Sequence, residues 1–516
     1  MAETVDLFVP LDELDEPLGP RLERALGWAR GQAGALRVLR RSLDARKGRA
    51  LGQRLRVLVA RAGETIAPEP APAPPPRWPA GRTAPRVVVV GSGPAGSWAA
   101  LRLAEAGVPV TIVEQGKPVQ PRRHDLAQLT RGQLTESSNY CFGEGGAGTY
   151  SDGKLYTRAK DRGGVADVIA DLVRFGAPAD IAVDSRPHVG SNRLPRVLQA
   201  LRDHLVGLGV EYRFETTVAG LRATHGRVHA VRLAGGDELP ADVVVLAVGH
   251  SARPVYAWAA ADGIALERKP IAIGVRIEHP QRLIDELQYG AAAGHPKLPA
   301  AFYELTSGDA DRGVYSFCMC PGGWIVPAAT EADGVVVNGM SLSRRDSPFA
   351  NAGLVVTVAG ADFGPAAAGP LAGVELQRRV EQAAFRAGGG RFRAPAQRLA
   401  DFLDGRASSA VGPSSYRPGL APGDLAQVLP DFLTTALRAG LRRLGARLPG
   451  FLFPDAVLVA AETRTSAPVR LLRDAKTLES PSLAGLYPCG EGAGYAGGIV
   501  SAALDGVRVA ARVLQA

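Results

Sequence analysis

The chain has 516 residues, enough for about three domains, and its 46% hydrophobic and 22% charged residues are typical of a globular protein. Four cysteines are too few for a disulfide framework and favour a reducing, cytoplasmic location. The net charge of +9 is spread along the chain, so we do not expect nucleic acid to be a partner. No apolar run reaches the roughly 18 residues that a membrane span needs.

The first 62 residues predict a small α/β module. Apolar spacing predicts one helix and two strands there, at 20–33, 35–39 and 55–60. The next segment, 63–85, is rich in proline, which cannot donate the hydrogen bonds of a helix or sheet. It therefore predicts a linker.

A dinucleotide-binding turn is predicted directly after the buried strand 87–90. The residues from Gly91 to Gly96 fit the pattern G-x-G-x-x-G. The first glycine permits the turn, the second lets the backbone approach a pyrophosphate, and the third brings the following helix close to the sheet. Glu114 follows a second strand at the spacing of a ribose-hydroxyl acceptor. The residues assigned to the cofactor here are Gly91, Gly93, Pro94, Ala95, Gly96 and Glu114.

The C-terminal segment distinguishes FAD from NAD. A short strand after Gly485 ends in the pair Gly490-Glu491, and a glycine-rich stretch then opens the last helix. This resembles the second FAD fingerprint of glutathione-reductase-like flavoproteins, which implies that Glu491 bonds the ribityl chain. Residues 241–251 resemble the strand-glycine motif by which such chains return to the nucleotide domain. The residues assigned to FAD from these resemblances are Gly249, Gly490, Glu491, Gly497, Gly498 and Ile499.

A second glycine-rich stretch, 143–148, has the letters of the dinucleotide pattern but neither a good strand before it nor a clear helix after it. We therefore expect no dedicated NAD(P)H domain. In related flavoproteins such a stretch passes the isoalloxazine ring. This implies contacts to FAD from Gly145, Gly146, Gly148, Thr149 and Ser151. Lys154 either holds negative charge on the reduced flavin or is a solvated lysine in a turn.

The chain as a whole resembles the uncharacterised FAD-dependent dehydrogenase family of bacteria. The segments that carry the resemblance are 41–47, 143–155, 317–323, 462–468 and 490–501. The resemblance implies FAD and an N-terminal α/β module before the flavin domain. It supplies no substrate.

Four residues are candidates for catalysis: Lys154, Cys318, Cys320 and Arg464. The two cysteines lie two apart on the predicted strand 314–320, so both face one side. They form either a redox pair or a nucleophile, or are small buried hydrophobic residues. Arg464 binds an anionic substrate or the flavin edge, or else lies in a surface loop. Arg122 either contacts the FAD phosphates or is solvated. No His cluster completes a metal site, and none is predicted.

The predicted architecture is a Rossmann-like FAD-binding domain in two segments, 86–270 and 451–516, with a mixed α/β substrate domain inserted at 271–450. Ligands of such folds bind beyond the carboxyl ends of the strands. The predicted function is hydride transfer between flavin and a small-molecule substrate, by a dehydrogenase or reductase. A flavin-dependent monooxygenase and a flavoprotein that acts on tRNA or other nucleic acid are the alternatives. NAD(P)H as a transient donor and a redox partner protein are both left open.

Overall fold

The computed structural model describes residues 2–68, 77–157, 159–308, 312–365 and 369–516. These residues form a small N-terminal unit, a domain with a parallel sheet, and a mixed α/β domain inserted into it. The predicted fold class is confirmed. The middle of the predicted Pro-rich linker, 69–76, lies outside the described residues. Within the described ranges, no helix is both long and apolar enough to cross a membrane.

The N-terminal unit is a three-stranded antiparallel sheet covered by one helix. In chain order it contains β1 (Glu3–Pro10), α1 (Gly19–Leu26), β2 (Ala33–Asp44) and β3 (Gly52–Arg61), with β3 in the middle. The predicted helix over 20–33 is too long, because Gly27 takes a φ of +68° and ends α1. The predicted strand over 35–39 is too short, because β2 pairs with β3 as far as Asp44 opposite Gly52.

The domain with the parallel sheet begins after the linker. In chain order its first segment contains β4 (Val87–Val90), α2 (Pro94–Glu105), β5 (Val110–Val113), α3 (Val119–Leu129), α4 (Arg162–Arg174), α5 (Leu194–Gly207), β6 (Glu211–Arg213), β7 (Val218–Thr224), β8 (Arg227–Leu233), β9 (Glu238–Pro240), β10 (Val243–Leu246) and α6 (Arg253–Ala261). Strands β7, β8 and β9 form a separate antiparallel sheet.

The inserted domain follows. Its elements are β11 (Leu266–Arg268), β12 (Ile271–Pro280), α7 (Gln281–Tyr289), β13 (Val314–Cys320), β14 (Gly323–Pro327), β15 (Val337–Ser341), β16 (Phe349–Val358), α8 (Ala372–Gly388), β17 (Ala394–Arg398), α9 (Leu399–Asp404), β18 (Leu420–Pro422), α10 (Asp431–Arg447) and β19 (Val457–Glu462). Six strands form one sheet in the order β13-β16-β12-β19-β17-β18, and β14 pairs with β15. The predicted boundary at 451 is wrong, because β19 lies between β12 and β17 and completes this sheet.

The chain then returns with β20 (Val469–Leu471), which pairs with β11, and with β21 (Leu486–Pro488) and α11 (Ile499–Gln515). The parallel sheet has the order β21-β10-β4-β5-β6. Every residue of β4 is buried, which explains its unbroken run of valine. α11 packs directly on α2, since a Cβ at Gly506 would collide with the Ala95 carbonyl oxygen. The helices that follow the first and last glycine turns are therefore neighbours.

Candidate functional site

One continuous cavity of about 1080 Å³ lies at the carboxyl edge of the parallel sheet. It runs from Glu114, past the N-termini of α2 and α11, to Lys154 and to Cys318 on β13. Both domains therefore line it. Most of the predicted cofactor residues are on its surface: Gly91, Gly93, Pro94, Ala95, Glu114, Gly146, Gly148, Ser151, Gly249, Glu491, Gly497, Gly498 and Ile499. The others, Gly96, Gly145, Thr149 and Gly490, are not among the lining residues.

The three glycines of the first turn differ in what an added side chain would contact. Gly91 takes a φ of +101°, and a Cβ there would collide with the Ala247 carbonyl oxygen. A Cβ at Gly96 would collide with the Gly91 carbonyl oxygen. Gly93, in contrast, has an ordinary φ of −72°, and its Cβ would point into space that ends at Gly146 Cα, 3.9 Å away. Gly91 and Gly96 thus pack the turn, while Gly93 keeps the cavity open.

Two helix N-termini reach this cavity without a side-chain cap. Pro94 begins α2, and Ile499 begins α11 after Gly498, whose φ is +103°. A Cβ at Gly497 or Gly498 would meet no atom within 4 Å. Uncapped N–H groups and the helix dipoles favour negative charge at both points. The cavity therefore fits an elongated, anionic dinucleotide such as FAD.

The two acidic residues predicted to contact FAD differ in their hydrogen bonds. Glu114 accepts from Ser92 N at 3.0 Å and Ser92 Oγ at 2.8 Å, and from the amides of Gly116 at 2.9 Å and Gly143 at 3.1 Å. These donors occupy the four acceptor positions of a carboxylate. A ribose hydroxyl would replace one of them, most simply the Ser92 hydroxyl. The role of Glu114 as an acceptor for a ribose hydroxyl stays a prediction.

Glu491 lines the same cavity near the N-terminus of α11. Within the described structure, its carboxylate accepts one hydrogen bond, from Gly498 N at 3.5 Å. It therefore retains acceptor capacity toward a ligand, in contrast to Glu114. This is the arrangement that the resemblance implies for a carboxylate that binds the ribityl hydroxyls.

The glycine-rich stretch 143–148 is held in place by an arginine. Arg122 is fully buried and donates to the carbonyl oxygens of Asn139 at 2.8 Å, Glu144 at 2.8 Å and Gly146 at 2.9 Å. Burial lowers the pKa of Arg122, against the attraction of neighbouring groups. Both readings of Arg122 from the sequence are wrong: it is not solvated, and it bonds the loop rather than lining the cavity. Thr149 belongs to the same network, since its hydroxyl donates to Glu144 O at 3.0 Å.

The far end of the cavity contains the predicted lysine and cysteines. Lys154 Nζ lies 3.7 Å from both Cys318 Sγ and Cys320 Sγ, and 3.6 Å from Asp152 Oδ2. β13 has the predicted bounds, but its register against β16 shifts between Phe317 and Cys320, and Cys318 takes a φ of +45°. The structure therefore brings Lys154, Cys318 and Cys320 together. The bulge turns Cys318 toward the cavity.

The groups around Cys318 and Cys320 shift the pKa values of the two thiols in opposite directions. A hydrogen bond with Cys320, together with the positive charges of Lys154 and Arg276, holds the pKa of Cys318 well below its usual value despite burial. The hydrogen bond with Cys318, and burial, raise the pKa of Cys320. Burial alone would lower the pKa of Lys154. The nearby cysteines and Asp152 outweigh burial and raise the pKa of Lys154. The arrangement favours a Cys318 thiolate beside an ammonium group.

Sequence reasoning missed Arg276 of β12, which donates a hydrogen bond to the backbone of Cys318. Its fully buried guanidinium donates to Cys318 O at 2.6 Å, Glu462 Oε2 at 2.7 Å and Asn351 Oδ1 at 2.7 Å. Burial raises the pKa of Glu462 to about 7, against the attraction of Arg276. A charged residue inside the apolar run of β12 was the signal that could have identified it, because a buried charge needs partners.

Arg464 lies in the cavity wall, but its guanidinium already has a carboxylate partner. It donates to both oxygens of Glu381, at 3.1 and 2.9 Å, and to Thr330 Oγ1 at 2.5 Å. Arg253 of α6 also donates to Glu381, at 2.7 Å. This buried network joins α8 of the inserted domain to the parallel-sheet domain. Within the described residues, no group of three or more His, Cys, Asp and Glu is arranged to bind a metal.

Replacing Lys154 with methionine should raise the pKa of Cys318, because a positive charge 3.7 Å from the sulfur is lost. We expect the pH midpoint for alkylation of Cys318 by iodoacetamide, followed by peptide mass spectrometry, to rise by about one unit or more. Lys160→Met, an exposed lysine of the same segment, is the control and should leave the midpoint unchanged. Equal midpoints in wild type and Lys154→Met would show that the lysine does not act on the thiol.

Two family models match the chain over the parts that line this cavity. One, described as an FAD binding domain, matches residues 85–249, and the other, described as FAD-dependent protein, C-terminal domain-like, matches residues 270–465. A protein of Clostridium beijerinckii, known only as an uncharacterized protein, is 45% identical over 435 residues, which cover 83% of this chain and 81% of the relative. The chain belongs to this family of FAD-dependent proteins. The predicted FAD-binding fold is confirmed, with FAD as the cofactor of the family.

Two solved structures are distantly similar to the chain. CtdE in complex with FAD is 11% identical with a TM-score of 0.32, and the match covers 83% of each chain. CmlS, a flavin-dependent halogenase, is 14% identical with a TM-score of 0.36, over 84% of this chain and 58% of that one. At these values neither similarity supports a functional argument.

Proposed function

We propose that the protein is an FAD-dependent oxidoreductase whose small-molecule substrate binds at the Lys154–Cys318 end of the cavity. The observation that carries this proposal is the continuity of the cavity, which joins two uncapped helix N-termini to a lysine and a thiol of perturbed pKa. Perturbed groups beside a large cleft are typical of a reaction site. We further propose that the protein is a dehydrogenase whose FAD-binding domain is similar to that of glutathione-reductase-like flavoproteins.

When bound, FAD supplies the redox chemistry, and the protein supplies position and charge. The N-termini of α2 and α11 hold negative charge, and the glycines beside them leave room for it. Lys154 keeps an ammonium group at the far end. The Arg464–Glu381 pair holds Arg464 in the cavity wall, between the two domains.

The electrons come from a donor that the protein does not hold permanently. In the described residues, the parallel sheet has a single strand-glycine-helix turn of the dinucleotide type, after β4. This supports NAD(P)H as a transient donor, or a redox partner protein, rather than a resident second nucleotide. A flavin-dependent monooxygenase is the second candidate, because one nucleotide-binding turn serves that reaction equally well. We place the protein in the cytoplasm, as the cysteine content predicts.

The test is anaerobic bleaching of the oxidised flavin band of the purified protein by NADH, NADPH and a panel of metabolites. We expect at least one donor to bleach wild type, and to bleach the Lys154→Met variant at least about tenfold more slowly while its FAD content is unchanged. Lys160→Met is the matched control. Equal rates in wild type and Lys154→Met would contradict the proposed site.

Readmission of oxygen then separates the two candidate functions. A monooxygenase predicts fast NADPH consumption with release of peroxide when substrate is absent. A dehydrogenase or reductase predicts slow reoxidation by oxygen and fast reoxidation by its own acceptor. The rate of peroxide formation per flavin is the measurement that decides between them.

A further inference from the structure

We propose that Cys318 and Cys320 form a thiol–disulfide pair that exchanges two electrons with FAD bound in the adjoining cavity. The proposal rests on the proposed function and gives the same site a substrate class. The electrons enter or leave through an external disulfide or dithiol.

The backbone brings the two sulfurs within reach of each other. In a regular strand, residues two apart are separated by ~6.7 Å between Cα atoms. That is the upper end of the range of about 4.4–6.8 Å that a disulfide spans. β13 is not regular here, because its register shifts before Cys320 and Cys318 takes a φ of +45°. A bulge shortens the strand locally, and both Sγ atoms lie 3.7 Å from one atom, Lys154 Nζ.

The two thiols differ in solvent exposure, as a redox pair with one attacking sulfur and one buried sulfur requires. Cys318 lines the cavity and is partly exposed, whereas Cys320 is fully buried. Lys154 Nζ lies 3.7 Å from Cys318 Sγ, and the positive charges of Lys154 and of Arg276, which bonds the Cys318 carbonyl oxygen, favour a thiolate at Cys318. Cys318 is therefore the sulfur that meets an external partner, and Cys320 is the one that closes the disulfide.

The electron transfer balances without a further reagent. The Cys318 thiolate and the Cys320 thiol lose two electrons and one proton as the S–S bond forms. FAD accepts the two electrons together with that proton and one from solvent, and becomes FADH2. In the opposite direction FADH2 reduces the Cys318–Cys320 disulfide, and the Cys318 thiolate then attacks an external disulfide and releases one thiolate. Cys320 attacks the resulting mixed disulfide at Cys318, which releases the second thiolate and restores the Cys318–Cys320 disulfide, and each released thiolate takes up a proton. Tyr156, which also lines the cavity, is 55% exposed, so this part of the wall is open to an external partner.

The test is an anaerobic titration of the FAD-loaded protein with dithionite, after oxidation with ferricyanide and removal of the oxidant. Wild type should take up about four electrons per flavin, and Cys318→Ser and Cys320→Ser about two, because a dithiol is a two-electron couple. Cys141→Ser removes another thiol of the cavity wall and is the control, at about four electrons. Differential alkylation of oxidised wild type should show a disulfide between Cys318 and Cys320 by mass spectrometry.

Uptake of about two electrons by wild type, with Cys318 and Cys320 alkylated as free thiols after ferricyanide, would overturn the proposal. This result needs no variant, so a serine variant that fails to fold does not affect it. It also leaves the proposed function intact, since a flavin reduced by its own substrate requires no disulfide. Protein that binds no FAD would instead contradict the proposed function.

Discussion

Replacing Gly93 with valine is expected to weaken FAD binding by roughly 100-fold or more while the protein stays folded. The φ of Gly93, −72°, is open to any residue, so the substitution does not strain the turn. The new side chain would occupy the space between Gly93 and Gly146, at the uncapped N-terminus of α2. Equilibrium dialysis against FAD, with circular dichroism to verify folding, measures the effect.

Two other glycines make the result specific. Gly163→Val lies in α4, where an added Cβ meets no atom within 4 Å, and should leave FAD affinity and stability unchanged. Gly96→Ala should instead impair folding, because its Cβ would collide with the backbone at Gly91. Wild-type affinity in Gly93→Val would show that FAD does not approach this turn.

Replacing Glu381 with glutamine is expected to destabilise the protein by about 3–5 kcal/mol, because it leaves Arg464 buried without its carboxylate partner and Arg253 with Glu331 alone. Glu381 has 1% of its side chain exposed, and Arg253 and Arg464 are nearly as buried. The midpoint of urea unfolding, followed by tryptophan fluorescence, measures the loss. Glu375→Gln is the control on the same helix, because its pair with Arg378 is exposed and contributes well under about 1 kcal/mol.

The same network predicts how stability depends on pH. The arginines outweigh burial and lower the pKa of Glu381 from 4.5 to about 2. The folded state therefore binds fewer protons at this group than the unfolded state between these values. Its contribution is fully present above pH 4.5 and is lost as the pH falls toward 2. Wild type should lose about 2 kcal/mol more stability than Glu381→Gln between pH 6 and pH 3, and parallel curves would contradict this.

Local patterns predicted much of the fold. The turn after β4 was identified because its glycines, strand and helix are adjacent in sequence. The bounds of β13 were predicted correctly, because apolar periodicity marks this strand. The pairing of Lys154 with Cys318 joins residues from two domains, which local patterns do not predict.

What the sequence did not reveal depends on long-range contacts. β19 was assigned to the wrong domain because a buried strand carries no mark of the sheet that it joins. Glu381 lies on an amphipathic helix, and its partner Arg253 is 128 positions away. Arg122 bonds carbonyl groups, and backbone acceptors have no signature in a sequence. The cases of Glu381 and Arg122 share one cause, since burial of a charge is decided by what the fold places around it.

Hydrogen–deuterium exchange with and without FAD tests the central claim most directly, that one ligand spans both glycine turns. The structure predicts slower exchange on FAD binding in three segments together: the start of α2 near Gly93, the loop at 145–149, and the start of α11 near Gly498. Protection of only one of these segments, or of none, would contradict the account.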